Sequence, residues 1–229
     1  MPDVSLLLPL AGIGVVAGFL AGLLGVGGGL IIVPAMVWVL EAAGVTHQVQ
    51  HLALGTSLAV MVFTSFASVR AHHARGAVDW SIVKRMAPAM IVGMLVGSQI
   101  AGWIPSHDLK WFFVVYAYVI ALQMLADKKP QGGRPLPGPL GLWSSGGVIG
   151  VISSFVGIGG GSMSVPFMSW CNVPMPRAIA TSAALGWPIA VAGAVGYVIS
   201  GWHAPDLPPG AVGFVYLPGL LALSVVTVL

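Results

Sequence analysis

The sequence predicts an all-α, polytopic transmembrane helix bundle built from two repeats. Three observations carry this. Long apolar runs contain no charge, the charge is confined to short breaks, and one glycine–proline pattern occurs twice at a constant offset.

Hydrophobic residues make up 57% of the chain and charged residues 7%, where a soluble domain carries roughly 25% charged residues. So little charge cannot solvate a surface of this size. The net charge of +3 rests on nine Lys and Arg against six acids. Lys84-Arg85 and Lys128-Lys129 are the adjacent basic pairs, and neither is interleaved with exposed polar surface as an electrostatic footprint would need. A nucleic-acid partner is therefore not expected. Cys171 is the single cysteine, which excludes an internal disulfide and a cysteine metal cage. It reads as a small buried hydrophobe. No Lys or Arg precedes the first apolar run, as a cleavable signal would need, so that run reads as a membrane segment from Leu6 onward.

A helix crosses hydrocarbon with about 20 apolar residues. Uncharged runs of that order lie at 4–40, 51–69, 86–104, 111–126, 140–170, 178–202 and 207–229. The break at 70–85 carries Arg70, His72, His73, Arg75, Asp79, Lys84 and Arg85. The break at 127–134 reads DKKPQGGR and leads into Pro-rich LPGP. It divides the chain into a first repeat (1–127), a linker (128–138) and a second repeat (139–229). The last run stops inside apolar sequence, with no counterpart of 111–126 after it. A further helix is expected beyond it, which would need about 25–30 residues.

Runs 4–40 and 140–170 are too long for one straight crossing. Residues 22–38 read GLLGVGGGLIIVPAMVW and residues 153–170 read SSFVGIGGGSMSVPFMSW. A constant offset of 132 matches Gly25 with Gly157, Pro34 with Pro166, Met36 with Met168 and Trp38 with Trp170. After a shorter connection, Thr56-Ser57 falls on Thr181-Ser182, and later Pro88 on Pro218. An internal repeat is the reading this requires. Gly14, Gly18 and Gly22, and likewise Gly93 and Gly97, are spaced as close-packing faces.

Basic short loops lie on the cytoplasmic side. This predicts 70–85 and 127–134 inside and 41–50 outside. With Arg177 inside and Asp206 outside, the second half is inverted relative to the first. Each glycine segment then enters and leaves on one face, as a re-entrant or broken hairpin. The alternative is two parallel halves with single long crossings.

Irregular backbone survives at membrane depth only where it is buried in protein or lines a cavity. A glycine run frees backbone N–H groups, and a short helix after it presents its positive end. Anions bind such ends, and secondary transporters place such breaks around a midplane site. The candidate substrate-binding residues are therefore Gly25, Gly27, Gly28 and Gly29, and Gly157, Gly159, Gly160 and Gly161. Thr56, Ser57, Thr181 and Ser182 are added as hydroxyl donors. The two breaks are expected to be non-helical and to meet near the membrane centre. Gly28→Leu or Gly160→Leu is expected to abolish transport and spare the fold.

Here the sequence resembles a known family. The paired GVGGG…VP and GIGGG…VP segments, each followed by Thr-Ser, look like the sulfite exporter TauE/SafE family of bacterial permeases. The resemblance spans essentially the whole chain. It implies a multi-pass protein of the bacterial inner membrane that moves sulfite, a sulfonate or another small inorganic or organic anion. Export is the expected direction, and no cofactor or metal is expected.

Enzyme motifs fail. Gly25, Gly27 and Gly28 lack the third glycine of a dinucleotide fingerprint. Ser162 has Leu30 as its repeat partner and no nearby histidine base. Adjacent His72 and His73 diverge on a helix. His47 and His51, four apart, read as solvated or at a cavity rim. Asp3, Glu41, Asp79, Asp108, Asp127 and Asp206 all fall in or beside breaks, so no acidic proton relay is apparent. Two other functions fit the same sequence. One is a proton-coupled uptake carrier for an organic anion, working through His47 or His51. The other is a membrane scaffold or sensor that does not transport.

Overall fold

The computed structural model describes residues 28–125 and 135–228. Gly14, Gly18, Gly22, Gly25 and Gly27, and the linker residues 128–134, lie outside that range. Among the described residues the chain forms eight α-helices and one two-stranded hairpin. The helices are α1 (Gly29–Ala42), α2 (Val49–Ala74), α3 (Trp80–Trp103), α4 (Ser106–Leu125), α5 (Pro139–Val156), α6 (Gly161–Trp170), α7 (Met175–Ser200) and α8 (Leu217–Val228). Strands β1 (Ala211–Val212) and β2 (Val215–Tyr216) pair antiparallel just before α8. This is an all-α membrane helix bundle. Helices α2, α3, α5 and α7 are long and apolar enough to cross a bilayer.

Between lipid-solvated helices there is little hydrophobic drive to associate, so close approach of backbones carries the packing. The α3–α5 pair illustrates it. A side chain at Gly93 would strike the Gly147 carbonyl, and one at Gly150 would strike the Met90 carbonyl. Gly97 likewise lies against Ser154 and Val151. The packing role expected of Gly93 and Gly97 is met.

Helices α2 and α7 form the centre, and each also packs on the late helix of the other half: α7 on α3, and α2 on α8. The hairpin is wedged beside them. Phe214 is buried, its N–H donates to the Tyr197 carbonyl at 3.1 Å, and its ring stacks on His51 at 4.8 Å. Outward faces are apolar, with Val115, Val119 and Leu122 of α4 exposed. The repeat partners Trp38 and Trp170 are both exposed, 59% and 57%, as suits side chains at a membrane–water interface.

The proline match between halves does not hold in three dimensions. Pro88 lies well inside α3, whereas Pro218 is the second residue of α8. The hairpin consumes residues in the second half that have no counterpart in the first, so α8 begins late relative to the proline alignment.

Candidate functional site

The site is built where α5 ends in a glycine segment and where α1 and α6 begin after glycines. In the second half, Gly157 ends α5 with a φ of +70°, its N–H bonded to the Ser153 carbonyl at 2.9 Å. Gly160 precedes α6 with a φ of +74°. Both are conformations that a side chain disfavours. The Gly160 carbonyl accepts from Met163 N at 3.1 Å and Ser164 N at 2.8 Å. In the first half, the Gly28 carbonyl does the same for Ile31 N at 3.1 Å and Ile32 N at 2.9 Å. Gly28 and Gly160 are 132 residues apart, so the repeat offset pairs two carbonyls with the same task.

The first N–H groups of each short helix have no partner among the described residues. In α6 these are Gly161 and Ser162; in α1 they are the equivalents Gly29 and Leu30. The N–H of Gly159, within the break itself, also has no partner among the described residues. Gly29, Gly159 and Gly161 are buried. Buried backbone donors are nearly always satisfied, so the open donors at Gly159 and Gly161 stand out.

The start of α1 touches the second-half break. Gly29 lies directly on the Gly157 carbonyl and on Ile158, leaving no room for a side chain. Ser57 of α2 donates to the same Gly157 carbonyl at 3.1 Å. Ser182 of α7 pairs with Ser164 of α6 at 2.8 Å, both fully buried. Thr56 and Thr181 are buried too, but each serves an opposing helix start. Thr56 Oγ1 accepts from Tyr216 N at 2.9 Å, and Thr181 Oγ1 accepts from Asp79 N at 3.0 Å. Gly28, Gly29, Gly157, Gly159, Gly160, Gly161, Ser57 and Ser182 are thus on or bonded beside the breaks. Thr56 and Thr181 brace the halves. Gly25 and Gly27 lie outside the described residues.

Three side chains not singled out by the sequence reading join the site. Ser164 completes the pair with Ser182. Tyr116 of α4 bonds its hydroxyl to Ser162 Oγ at 2.5 Å. Met61 of α2 places its thioether methyl against Gly159. Tyr116 and Ser162 lie in a cavity of about 690 Å³ between α4, α5 and α6, lined also by Ile149, Ile152 and Pro166. A hydroxyl in mid-run of an apolar helix was the available signal for Tyr116.

Fixed charge is kept at the periphery. Among the described residues no Asp, Glu, Lys or Arg is buried. Glu41 and Lys110 pair at 3.0 Å on exposed surface. Asp79 caps α3, accepting from Ser81 N at 3.0 Å, and Arg177 Nε stands 3.9 Å from it. Partial burial pushes the Asp79 carboxyl up. Hydrogen bonds from Ser81 and the Ile82 N–H, with the Arg177 charge, outweigh this and hold it below its ordinary value. The histidine expectation divides. His47 is exposed, as expected, but His51 is 1% exposed, contrary to a solvated or rim position. Its Nδ1 bonds Ser106 Oγ at 2.8 Å and its Nε2 bonds the Ala101 carbonyl at 2.9 Å. Phe214, brought in by the hairpin, closes over it.

Comparison with known proteins agrees with this architecture. A probable membrane transporter protein of Haemophilus influenzae is 35% identical over 214 residues, covering 93% of this chain and 81% of that protein. YunE of Bacillus subtilis, also described as a probable membrane transporter protein, is 28% identical across 87% of this chain and 82% of its own. One from Methanocaldococcus jannaschii is 26% identical across 98% and 81%. No solved structure matches the chain. The family model described as sulfite exporter TauE/SafE matches residues 10–229, and the chain belongs to that family.

Proposed function

We propose that this membrane transporter moves a small anion of the sulfite or sulfonate type out of the cell, through a mid-membrane site built from the two glycine breaks. The observation that carries the reading is the set of N–H groups with no partner among the described residues, those of Gly159, Gly161 and Ser162 at the second-half break, with Gly29 at the start of α1 packed against that break. Such donors replace the hydration of an anion without placing a fixed cation in the site.

Depth supports the same reading. Trp170 is an interfacial anchor, and nine residues of helix separate it from Gly161, about 14 Å. That is half of a hydrocarbon core of about 30 Å. Ser144 and Trp170 line the same cavity as Ile152 and Ser162, between α4, α5 and α6. The reciprocal threonine bonds support halves related by a two-fold; with its axis in the membrane plane this would be the inverted arrangement that secondary transporters use for alternating access. The location would be the bacterial inner membrane, with the linker inside. Outward movement of an anion is favoured by an interior-negative potential, about 2.3 kcal/mol per charge per 100 mV.

The test is flux from proteoliposomes loaded with sulfite, sulfate, thiosulfate, sulfoacetate or acetate, with and without an imposed potential. Saturable, potential-sensitive movement of sulfite or sulfoacetate is expected. Rates equal to empty liposomes for every anion would refute the reading.

A further inference from the structure

The glycine break of the second half is covered by one flexible side chain. A methyl built on Gly159 would stand 2.6 Å from Met61 Cε on one side and 3.6 Å from the α-carbon of Gly186 on the other. Met61 is 3% exposed, and both glycines are buried. Met61 lies five residues after Thr56 on α2, and Gly186 lies five residues after Thr181 on α7. The two are therefore repeat equivalents, meeting at the break from opposite halves. One half supplies a thioether there; the other supplies no side chain at all.

That asymmetry has a physical consequence. Methionine is unbranched, with three rotatable bonds, and adapts its shape readily. Gly186 leaves room for about one methyl group beside it, in ordinary contact with the Gly159 carbonyl and Ser65. Gly159 carries a buried N–H that has no partner among the described residues, next to those of Gly161 and Ser162. A methyl group resting on this backbone satisfies none of these donors, and an anion reaching them must displace it.

We propose that Met61 is the movable plug of the transport site, and that Gly186 is kept small to receive it. The proposal rests on the anion-permease reading given above. The thioether closes the Gly159 backbone in this structure. It swings toward Gly186 when an anion takes up the N–H groups, and returns behind it. Its reach over Gly159 sets the size of anion that passes.

Gly186 permits a test that separates gating from packing. A methyl there would stand 3.5 Å from the Gly159 carbonyl and 3.9 Å from Ser65 Cβ, ordinary contact distances. Gly186→Ala therefore fits, and alanine is favoured over glycine inside a helix. A packing role alone predicts a higher melting temperature and unchanged flux. The plug predicts an unchanged or higher melting temperature with sulfite flux reduced threefold or more. Met61→Ile keeps the apolar bulk but stiffens the side chain at its branched carbon; a tenfold or greater loss of sulfite flux is expected. Met61→Ala removes the cover, and a raised ratio of thiosulfate to sulfite flux is expected.

The measurement uses the full chain in proteoliposomes, with sulfite and thiosulfate as the probes and melting temperature in detergent as the control. Wild-type flux and wild-type anion ratio in all three variants would overturn the plug and leave the permease reading standing. No flux of any anion through the unaltered protein would overturn both.

Discussion

Thr181 Oγ1 accepts the backbone N–H of Asp79 at 3.0 Å, across the boundary between the two halves of the chain. Thr56, its repeat equivalent, accepts the N–H of Tyr216 at 2.9 Å in the reverse sense. Asp79 immediately precedes α3 and Tyr216 immediately precedes α8. Each half thus holds the start of a helix in the other. The bonds pair Asp79 with Tyr216, a separation of 137 (216 less 79), where the proline match gives 130 (218 less 88). Such reciprocity is what a two-fold relation between repeats demands.

Each brace should be measurable singly. Thr181→Val and Thr56→Val keep shape but remove the acceptor, leaving a partly buried N–H without a partner. About 1 kcal/mol of stability should be lost in each case, up to about 3 if water cannot reach the donor. The melting temperature in detergent should fall by a few degrees for either variant. A fall for one and none for the other would show that the two bonds are not equivalent.

Asp79 adds a pH dependence on the same brace. Its carboxyl is held below the ordinary carboxylate range in the folded protein. A group with a depressed folded pKa stabilises the fold above its unfolded value, and that stability is lost as pH falls through the folded value. Asp79→Asn retains a capping oxygen but no charge for Arg177 to meet. The wild type should therefore melt higher than Asp79→Asn near neutrality, and the gap should close as pH is lowered from about 6 to about 3. A gap that stays constant over that range would remove Asp79 from the account.

Much of this was legible in the sequence. The charge-free runs gave the bundle because spanning length is set by bilayer thickness. The offset of 132 placed Gly28 and Gly160 alike, each just before a short helix, because glycine content and helix starts are local properties. What lay out of reach depended on distant partners. No local pattern says that Thr56 faces Tyr216, 160 residues away, or that Phe214 buries His51. Thr56 and Thr181, expected as hydroxyl donors, act here as acceptors for the Tyr216 and Asp79 N–H groups. The expectation that Gly160→Leu spares the fold also fails on backbone geometry. Its φ of +74° disfavours any side chain, and even a methyl there would stand 3.1 Å from Ile189 Cδ1 and 3.2 Å from Met90 Cε.

Topology is open to a direct check. The single cysteine, Cys171, is buried, so labelling of introduced cysteines has a low background. His107 is exposed near the start of α4, on the side predicted to be outside, and Gln131 lies in the basic linker predicted to be inside. An impermeant maleimide added to intact cells should label His107→Cys and should reach Gln131→Cys only after permeabilisation. Labelling of both from outside would break the proposed orientation.

The two glycines flanking Ile158 separate folding from transport. At Gly157 the backbone is left-handed, and a methyl would meet Leu54 Cδ2 at 2.7 Å and Val33 Cγ2 at 3.1 Å. Gly157→Ala must strain the turn that ends α5 and disturb the contact with Gly29 and Ser57. A loss of about 1–3 kcal/mol is expected, so reduced flux there would say little about the site. Gly159 has no left-handed requirement, and the nearest obstacle to a methyl is the flexible tip of Met61. Gly159→Ala should therefore keep most of the stability, with a melting temperature well above that of Gly157→Ala. The added methyl nevertheless occupies the face of the backbone beside an N–H that has no partner among the described residues. If anions bind there, sulfite flux in proteoliposomes should fall at least tenfold, about 1.4 kcal/mol in the barrier. A Gly159→Ala protein that melts like the wild type and transports like it would place the anion path elsewhere than the break.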